Sequence, residues 1–148
     1  MFFSQNIIDL PLNRSKLIVI DTKAKKQLKT SDFKNDPIIV VGGIFGEVVP
    51  LGRTYQLITK RLGNVKARNL GPAQLSIDGA ILVAKLIEKG KNLNEIKVNL
   101  KPEIKMDEKH IIELGYAIPI INRKLKITPG LIKYLEKRYC KRRNEINW

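Results

Sequence analysis

Two glycine-bearing segments hold the residues whose types and spacing suit ligand chemistry. The first, IIVVGGIFGE, covers residues 38–47, and the second, RNLGPAQLSIDGA, covers residues 68–80. Each reads as a short strand that stops at glycine, and the second then opens a helix. Placed side by side, two such strand ends make a pocket lined by main chain, because glycine lets a ligand approach the backbone closely. A flat cofactor suits a pocket of that kind, and the C-terminal ends of strands are where α/β sheets bind ligands. The chain has neither a GxxxxGK[ST] phosphate loop nor a GxGxxG dinucleotide fingerprint. The ligand is therefore expected to be held by backbone groups without a dedicated phosphate cradle.

The side-chain inventory narrows the chemistry further. A single cysteine, Cys140, excludes an intrachain disulfide framework and a cysteine-based zinc site. A single histidine, His110, argues against histidine-dependent metal chemistry and a Ser-His triad. No metal is expected.

The elements that must position the glycines are legible from apolar runs and their punctuation. Residues 17–20 (LIVI) read as a buried strand ending in Asp21, and residues 38–41 as a second strand ended by Gly42-Gly43. A short helix over 54–62 is closed by Gly63, and a strand over 65–70 is broken by Gly71-Pro72. Residues 76–89 form the strongest helical pattern. Ser76 is its N-cap, Asp78 lies in its first turn, Gly90 is its stop, and its apolar residues run almost all round. Further on, 93–96 reads as a helical turn and 97–100 as a strand. Two more strands, 117–121 and 125–127, flank a turn at residues 122–124, with Pro119 demoting the first to an edge or irregular position. Thr128-Pro129 opens a last helix with Leu131, Ile132, Leu135 and Tyr139 on one face. The alternation predicts an α/β fold with a largely parallel sheet in one domain of 148 residues, with a lead-in over 1–16 and a basic tail over 138–148.

Lys+Arg number 28 against 14 Asp+Glu, a net charge of +14. Such a field attracts polyanions and predicts contact with nucleic acid, although a solvated, solubilising lysine face explains the same composition. No apolar run approaches the ~20 residues of a membrane span. The N-terminal residues lack a signal-peptide pattern. The expectation is a cytoplasmic protein without a membrane partner.

The stretch LGPAQLSIDGA resembles the LGPRILRxETA-type motif of SPOUT-class RNA methyltransferases, and GGIFGE sits where that class has its GPEGG-type loop. The runs IVIDTKAKKQ, IIVVGGIFGEVVPLGRT, RNLGPAQLSIDGAILVAKLI, KPEI and KITPGLIKYLEK are together similar to one SPOUT family. Its eukaryotic members methylate arginine in a small-subunit ribosomal protein, and its archaeal relatives are described as predicted RNA methyltransferases. The resemblance spans residues 17–137. It departs from the family in a shorter segment before the first strand and in Glu47, where Asp is usual.

The resemblance implies a mostly parallel sheet flanked by helices, a trefoil knot in the C-terminal half, and S-adenosyl-L-methionine as cofactor. It places Gly42, Gly43, Ile44, Phe45, Gly46, Leu70, Gly71, Pro72, Ala73, Gln74 and Ala80 at the cofactor. Glu47, Arg53 and Asp78 are the catalytic candidates: a carboxylate would offset the cationic sulfonium and orient an acceptor, and Arg53 would orient a carbonyl or phosphate. Glu103 and Glu113 are weaker candidates. The first expectation for the acceptor is an arginine of a ribosomal protein. An RNA methyltransferase and a non-catalytic basic RNA-binding module are the alternatives. Lys23, Lys25, Lys26, Lys29 and the cationic last helix would then face phosphates. A homodimer is a further expectation, by analogy with the class.

Overall fold

The LIVI run forms β1 (Leu17–Ile20), which lies in the middle of a parallel three-stranded sheet of order β2-β1-β3. β2 is Ile38–Val41 and β3 is Lys66–Arg68. The computed structural model describes residues 6–42 and 52–146, with 140–146 as backbone alone. Leu17 pairs with Ile38 and Ile18 with Lys66, so the two outer strands meet only through β1. Leu17, Ile18 and Val19 are at most 1% exposed, as expected of a strand covered on both faces.

Each face of this sheet has its own core. On one, Ile18, Leu28 and Leu70 meet Ala80, Val83, Ala84 and Ile87 of α2 (Ile77–Glu88, with α1 named below). Ser76 caps α2 by accepting the Gly79 N–H at 3.2 Å, and Gly90, at φ 97°, follows its end. The buried residues of α2 form one stripe, while Ile77 and Ile81 are exposed, so α2 is amphipathic and not buried all round as its composition suggested. On the other face, Leu17, Val19 and Val40 pack with Leu62 and with Ile58, Ile7, Ile8 and Leu12. The helix expected over 54–62 is there a π-helical turn, Tyr55–Thr59, continued by α1 (Lys60–Leu62).

The rest of the chain is antiparallel, which corrects the expectation of a mostly parallel fold. β4 (Val98–Asn99), β7 (Ile118–Ile121) and β8 (Lys124–Leu125) form one sheet, and β5 (Glu103–Lys105) with β6 (Ile111–Glu113) forms a hairpin. Pro119 sits in the central strand β7, not at an edge. Lys126 N–H donates to the Pro119 carbonyl at 2.8 Å, so only the reciprocal bond is lost, just past the end of β8. A third core joins Ile104, Leu114 and Ile118 to Leu131 and Leu135 of α3 (Leu131–Ile146). Asp107 fixes the hairpin to α3: its carboxylate accepts from the Tyr139 hydroxyl at 2.8 Å and from His110 N–H at 2.9 Å. The Tyr139 hydroxyl first, then the Lys109 N–H and the His110 ring, hold this carboxyl well below the usual carboxylate range. The strand pairings of the described residues do not display the expected trefoil knot.

Candidate functional site

The C-terminal edge of the parallel sheet brings three strand ends together: Asp21 after β1, Gly42 after β2 and Asn69 after β3. The ends of β2 and β3 are therefore not side by side, as the sequence reading expected. The end of β1 lies between them, and Asp21 is the residue at that place. Its carboxylate is 1% exposed. One oxygen accepts the Lys23 N–H at 2.9 Å and the other accepts Thr59 Oγ1 at 2.6 Å. Sequence reasoning used Asp21 only as a strand end. An acidic residue directly after a buried apolar run was the available signal.

Gly42 is the described foot of the first loop. A Cβ there would come within 2.7 Å of Thr54 Oγ1, so glycine allows the strand end and the returning chain to touch. Gly43, Ile44, Phe45, Gly46 and Glu47 lie outside the described residues. Arg53 is exposed, just before the contact residue Thr54.

Asn69 organises the second loop. Its side-chain oxygen accepts the Gly71 N–H at 3.0 Å, and its amide nitrogen donates to the Ala24 carbonyl at 2.8 Å. Gly71 then turns with φ 90°, a conformation that favours glycine, and a Cβ added there would meet nothing within 4 Å. Open space above this positive-φ glycine leaves a cradle of accessible main chain at the strand end. Leu70 points into the core, so it contributes backbone only. Pro72 is exposed and Ala73 and Gln74 are half-buried along the same turn. Ala80, by contrast, is a core residue of α2 packed with Val83 and Ala84. A segment the sequence did not flag joins the loop: Ala117 N–H donates to the Gln74 carbonyl at 2.7 Å, and Leu75 bridges Ala117 in parallel.

Asp78 has a structural partner. It accepts Thr128 Oγ1 at 2.5 Å and so ties the start of α2 to the residues before α3. Burial pushes its carboxyl up, but hydrogen bonds from Thr128, Ser76 and the first-turn N–H groups outweigh that and hold it below the ordinary value. Tyr116 stands close by; burial and then the Asp78 charge raise its phenol. Glu103 and Glu113 face each other as an exposed pair across the β5–β6 hairpin, so neither joins the strand-end loops.

Two clefts lie elsewhere. One of about 190 Å³ is lined by Asn13, Lys16, Asp32, Pro37 and Lys66, at the N-terminal ends of the parallel strands. Another of about 210 Å³ lies between β2 and α2, with Phe33, Ile39, Val41 and Ile81 in its walls. Neither includes the glycine turns. Among the described residues no group of His, Cys, Asp and Glu is placed to hold a metal, and no helix is long and apolar enough to cross a membrane.

A parallel sheet with glycine turns at its C-terminal edge and antiparallel strands beyond it defines an α/β protein. The family model for SFM1-like protein arginine N-methyltransferases matches residues 4–142, and the chain belongs to that family. It is 27% identical over 128 residues to protein arginine N-methyltransferase SFM1 of Saccharomyces cerevisiae, covering 85% of this chain and 60% of the yeast protein. Among solved structures it is similar to the yeast arginine methyltransferase SFM1 complexed with SAM, at TM-score 0.78 and 25% identity over 89% of this chain and 60% of that one. It is also similar to a structure described as a novel protein arginine methyltransferase, at TM-score 0.72 and 26% identity over 88% of this chain and 66% of that one. The chain thus spans 60% of the length of the curated yeast relative. These matches correct the class expected from the sequence. They place the chain in the SFM1-like family, none of them carries the SPOUT class, and the described strand pairing does not display that class's knot.

Proposed function

We propose that the chain transfers a methyl group from S-adenosylmethionine to an arginine nitrogen of a protein, the first expected acceptor being a ribosomal protein. The observation that carries this reading is the family match across residues 4–142. The likeness to the yeast arginine methyltransferase complexed with SAM supports the cofactor. The cradle at Gly71 is compatible with it, since a flat ligand fits where a Cβ would meet nothing.

When bound, the cofactor supplies an electrophilic methyl group: the acceptor nitrogen forms the new N–C bond, the C–S bond breaks, and one proton leaves the nitrogen. The chain's part is to bind, align and take that proton. The backbone of residues 70–74 would hold the flat part of the cofactor, and the turn is kept in place by Asn69 and by the Ala117 N–H. Glu47 follows the glycines of the first loop in sequence and is assigned to orient the acceptor guanidinium and receive its proton. Asp78, held by Thr128, is a positioning residue in this scheme. Arginine is protonated in solution, so a carboxylate beside it is the chemical requirement that Glu47 answers.

Transfer of a radiolabelled methyl group into unmodified ribosomes tests the proposal. Label that survives RNase, is released by protease and co-migrates with methylarginine after acid hydrolysis supports it. Label lost to RNase points to RNA as the acceptor, and absence of S-adenosylmethionine binding by calorimetry overturns the enzymatic reading altogether.

A further inference from the structure

Residues 22–31 read TKAKKQLKTS, four lysines with no acidic residue among them. This stretch is fixed to the end of the sheet. Leu28 is 1% exposed and sits in the core beneath α2. Asn69 N–H donates to the Lys26 carbonyl at 2.9 Å, Leu28 N–H donates to the Asn69 carbonyl at 3.0 Å, and the Asn69 side chain holds Ala24. At the start of the stretch, Lys23 N–H is bound to the Asp21 carboxylate. On this backbone Lys23, Lys25, Lys26 and Lys29 are all exposed, and none forms an ion pair among the described residues. The acids that flank the stretch in sequence have other partners. Asp21 is buried against Thr59, and Asp32 is taken by Arg68 at 2.7 Å.

We infer that residues 22–29 form a docking surface for an RNA phosphate backbone, held beside the glycine-turn site by Asn69. The choice of RNA over DNA rests on the proposed ribosomal acceptor; the surface itself rests on the fixed lysines, which form no ion pair among the described residues. A cation array on an anchored backbone loses little entropy when phosphates bind, which separates it from lysines on a loose tail. The same Asn69 side chain holds Ala24 and Gly71, so the backbone that carries these lysines adjoins the turn at Gly71.

The test is fluorescence anisotropy of a labelled single-stranded oligoribonucleotide with the full chain, without cofactor, over a series of KCl concentrations. Lys25→Glu/Lys26→Glu alters two exposed side chains and leaves the backbone bonds in place, which a melting curve checks. The expected result is at least about tenfold weaker binding and a salt slope shallower by about 1.4, at ~0.7 per single-strand phosphate contact. Lys133→Glu/Lys137→Glu on α3 serves as the control and is expected to weaken binding by less than about threefold. Unchanged binding by the Lys25/Lys26 variant, or equal losses from both pairs, overturns the surface. Equal binding of the matching oligodeoxyribonucleotide, or equally effective competition by polyglutamate, overturns its assignment to RNA. Binding is read without methyl transfer, so failure of the methyltransferase reading and failure of this one are separate results.

Discussion

Thr59 Oγ1 donates a 2.6 Å hydrogen bond to the buried Asp21 carboxylate, joining the end of the central strand to the π-helical turn that follows the first glycine loop. Both residues are buried, and they are far apart in sequence. π-Helical turns are uncommon and are found disproportionately at functional sites. Here the turn presents a hydroxyl to the carboxylate at the end of the central strand.

Replacing Thr59 by Val leaves that carboxylate oxygen without its donor. The expected loss is about 2 kcal/mol in urea unfolding, the usual penalty for orphaning a buried polar group. Thr59→Ser keeps the hydroxyl and should lose much less. A Val variant as stable as the parent chain would show that the hydroxyl bond contributes nothing to stability.

Gly42→Ala places a Cβ within 2.7 Å of Thr54 Oγ1 and 3.0 Å of Thr54 Cγ2. Overpacking of this sort costs about 1–3 kcal/mol. Thr54→Ala removes both atoms, so the double variant should melt close to Thr54→Ala alone. A double variant that melts as low as the sum of the two singles would show that the clash is not with Thr54.

Acid stability should depend on the Asp32–Arg68 pair, in which Arg68 Nε and NH2 donate to the two carboxylate oxygens at 2.9 and 2.7 Å. Burial raises the Asp32 carboxyl, but the bonds from Arg68 and the Lys29 N–H outweigh it, and the folded value lies below the ordinary 3.8. A group depressed in this way stabilises the fold fully above the unfolded value and loses that contribution as pH falls through the folded one. Asp78 acts in the same direction. Unfolding midpoints measured from about pH 7 to about pH 2 should therefore fall less steeply in Asp32→Asn than in the parent chain.

Asp78→Ala should loosen the segment before α3, because Thr128 loses its acceptor. Amide exchange at the start of α3 is expected to quicken, while methyl transfer falls by less than about tenfold, a barrier change near 1.4 kcal/mol. A far larger loss of turnover with unchanged exchange at α3 would restore Asp78 to the chemistry.

The parallel part of the fold was legible because its residues are unambiguous. LIVI and IIVV are apolar runs stopped by turn residues, and Ser76, Asp78 and Gly90 mark the ends of α2. The order β2-β1-β3 was not legible, since strand neighbours in a parallel sheet are set by crossovers and not by local pattern. Asp21 was missed for that reason: its place between the glycine segments exists only once β1 is central. The β5–β6 hairpin was missed because Glu103–Lys105 and Ile111–Glu113 each hold only one or two apolar residues among charged ones. Pro119 was misplaced because a proline is excluded from a central strand only where its missing donor is needed, and here the ladder ends beside it. Gly71 and the residues around it were picked out by their types, and the structure places them in one turn at the end of β3. That Ala80 packs in the core was not legible, because an alanine on a helix gives no sign of which side faces the sheet.

The central position of β1 also sets an order of assembly. Every pairing in the parallel sheet includes β1, and Ile18 must wait for Lys66, far along the chain, before the third strand can join. Closing such loops loses chain entropy before any pairing compensates for it. In the antiparallel half Val98 must reach Pro119 over a longer loop, while two pairings are local, since Ile120 meets Leu125 across a tight turn and Glu103 meets Glu113 nearby. Hairpins of that kind close in ~1–10 μs. The turn at Gly71, which follows β3, is thus fixed in place only after a slow, long-range closure onto β1.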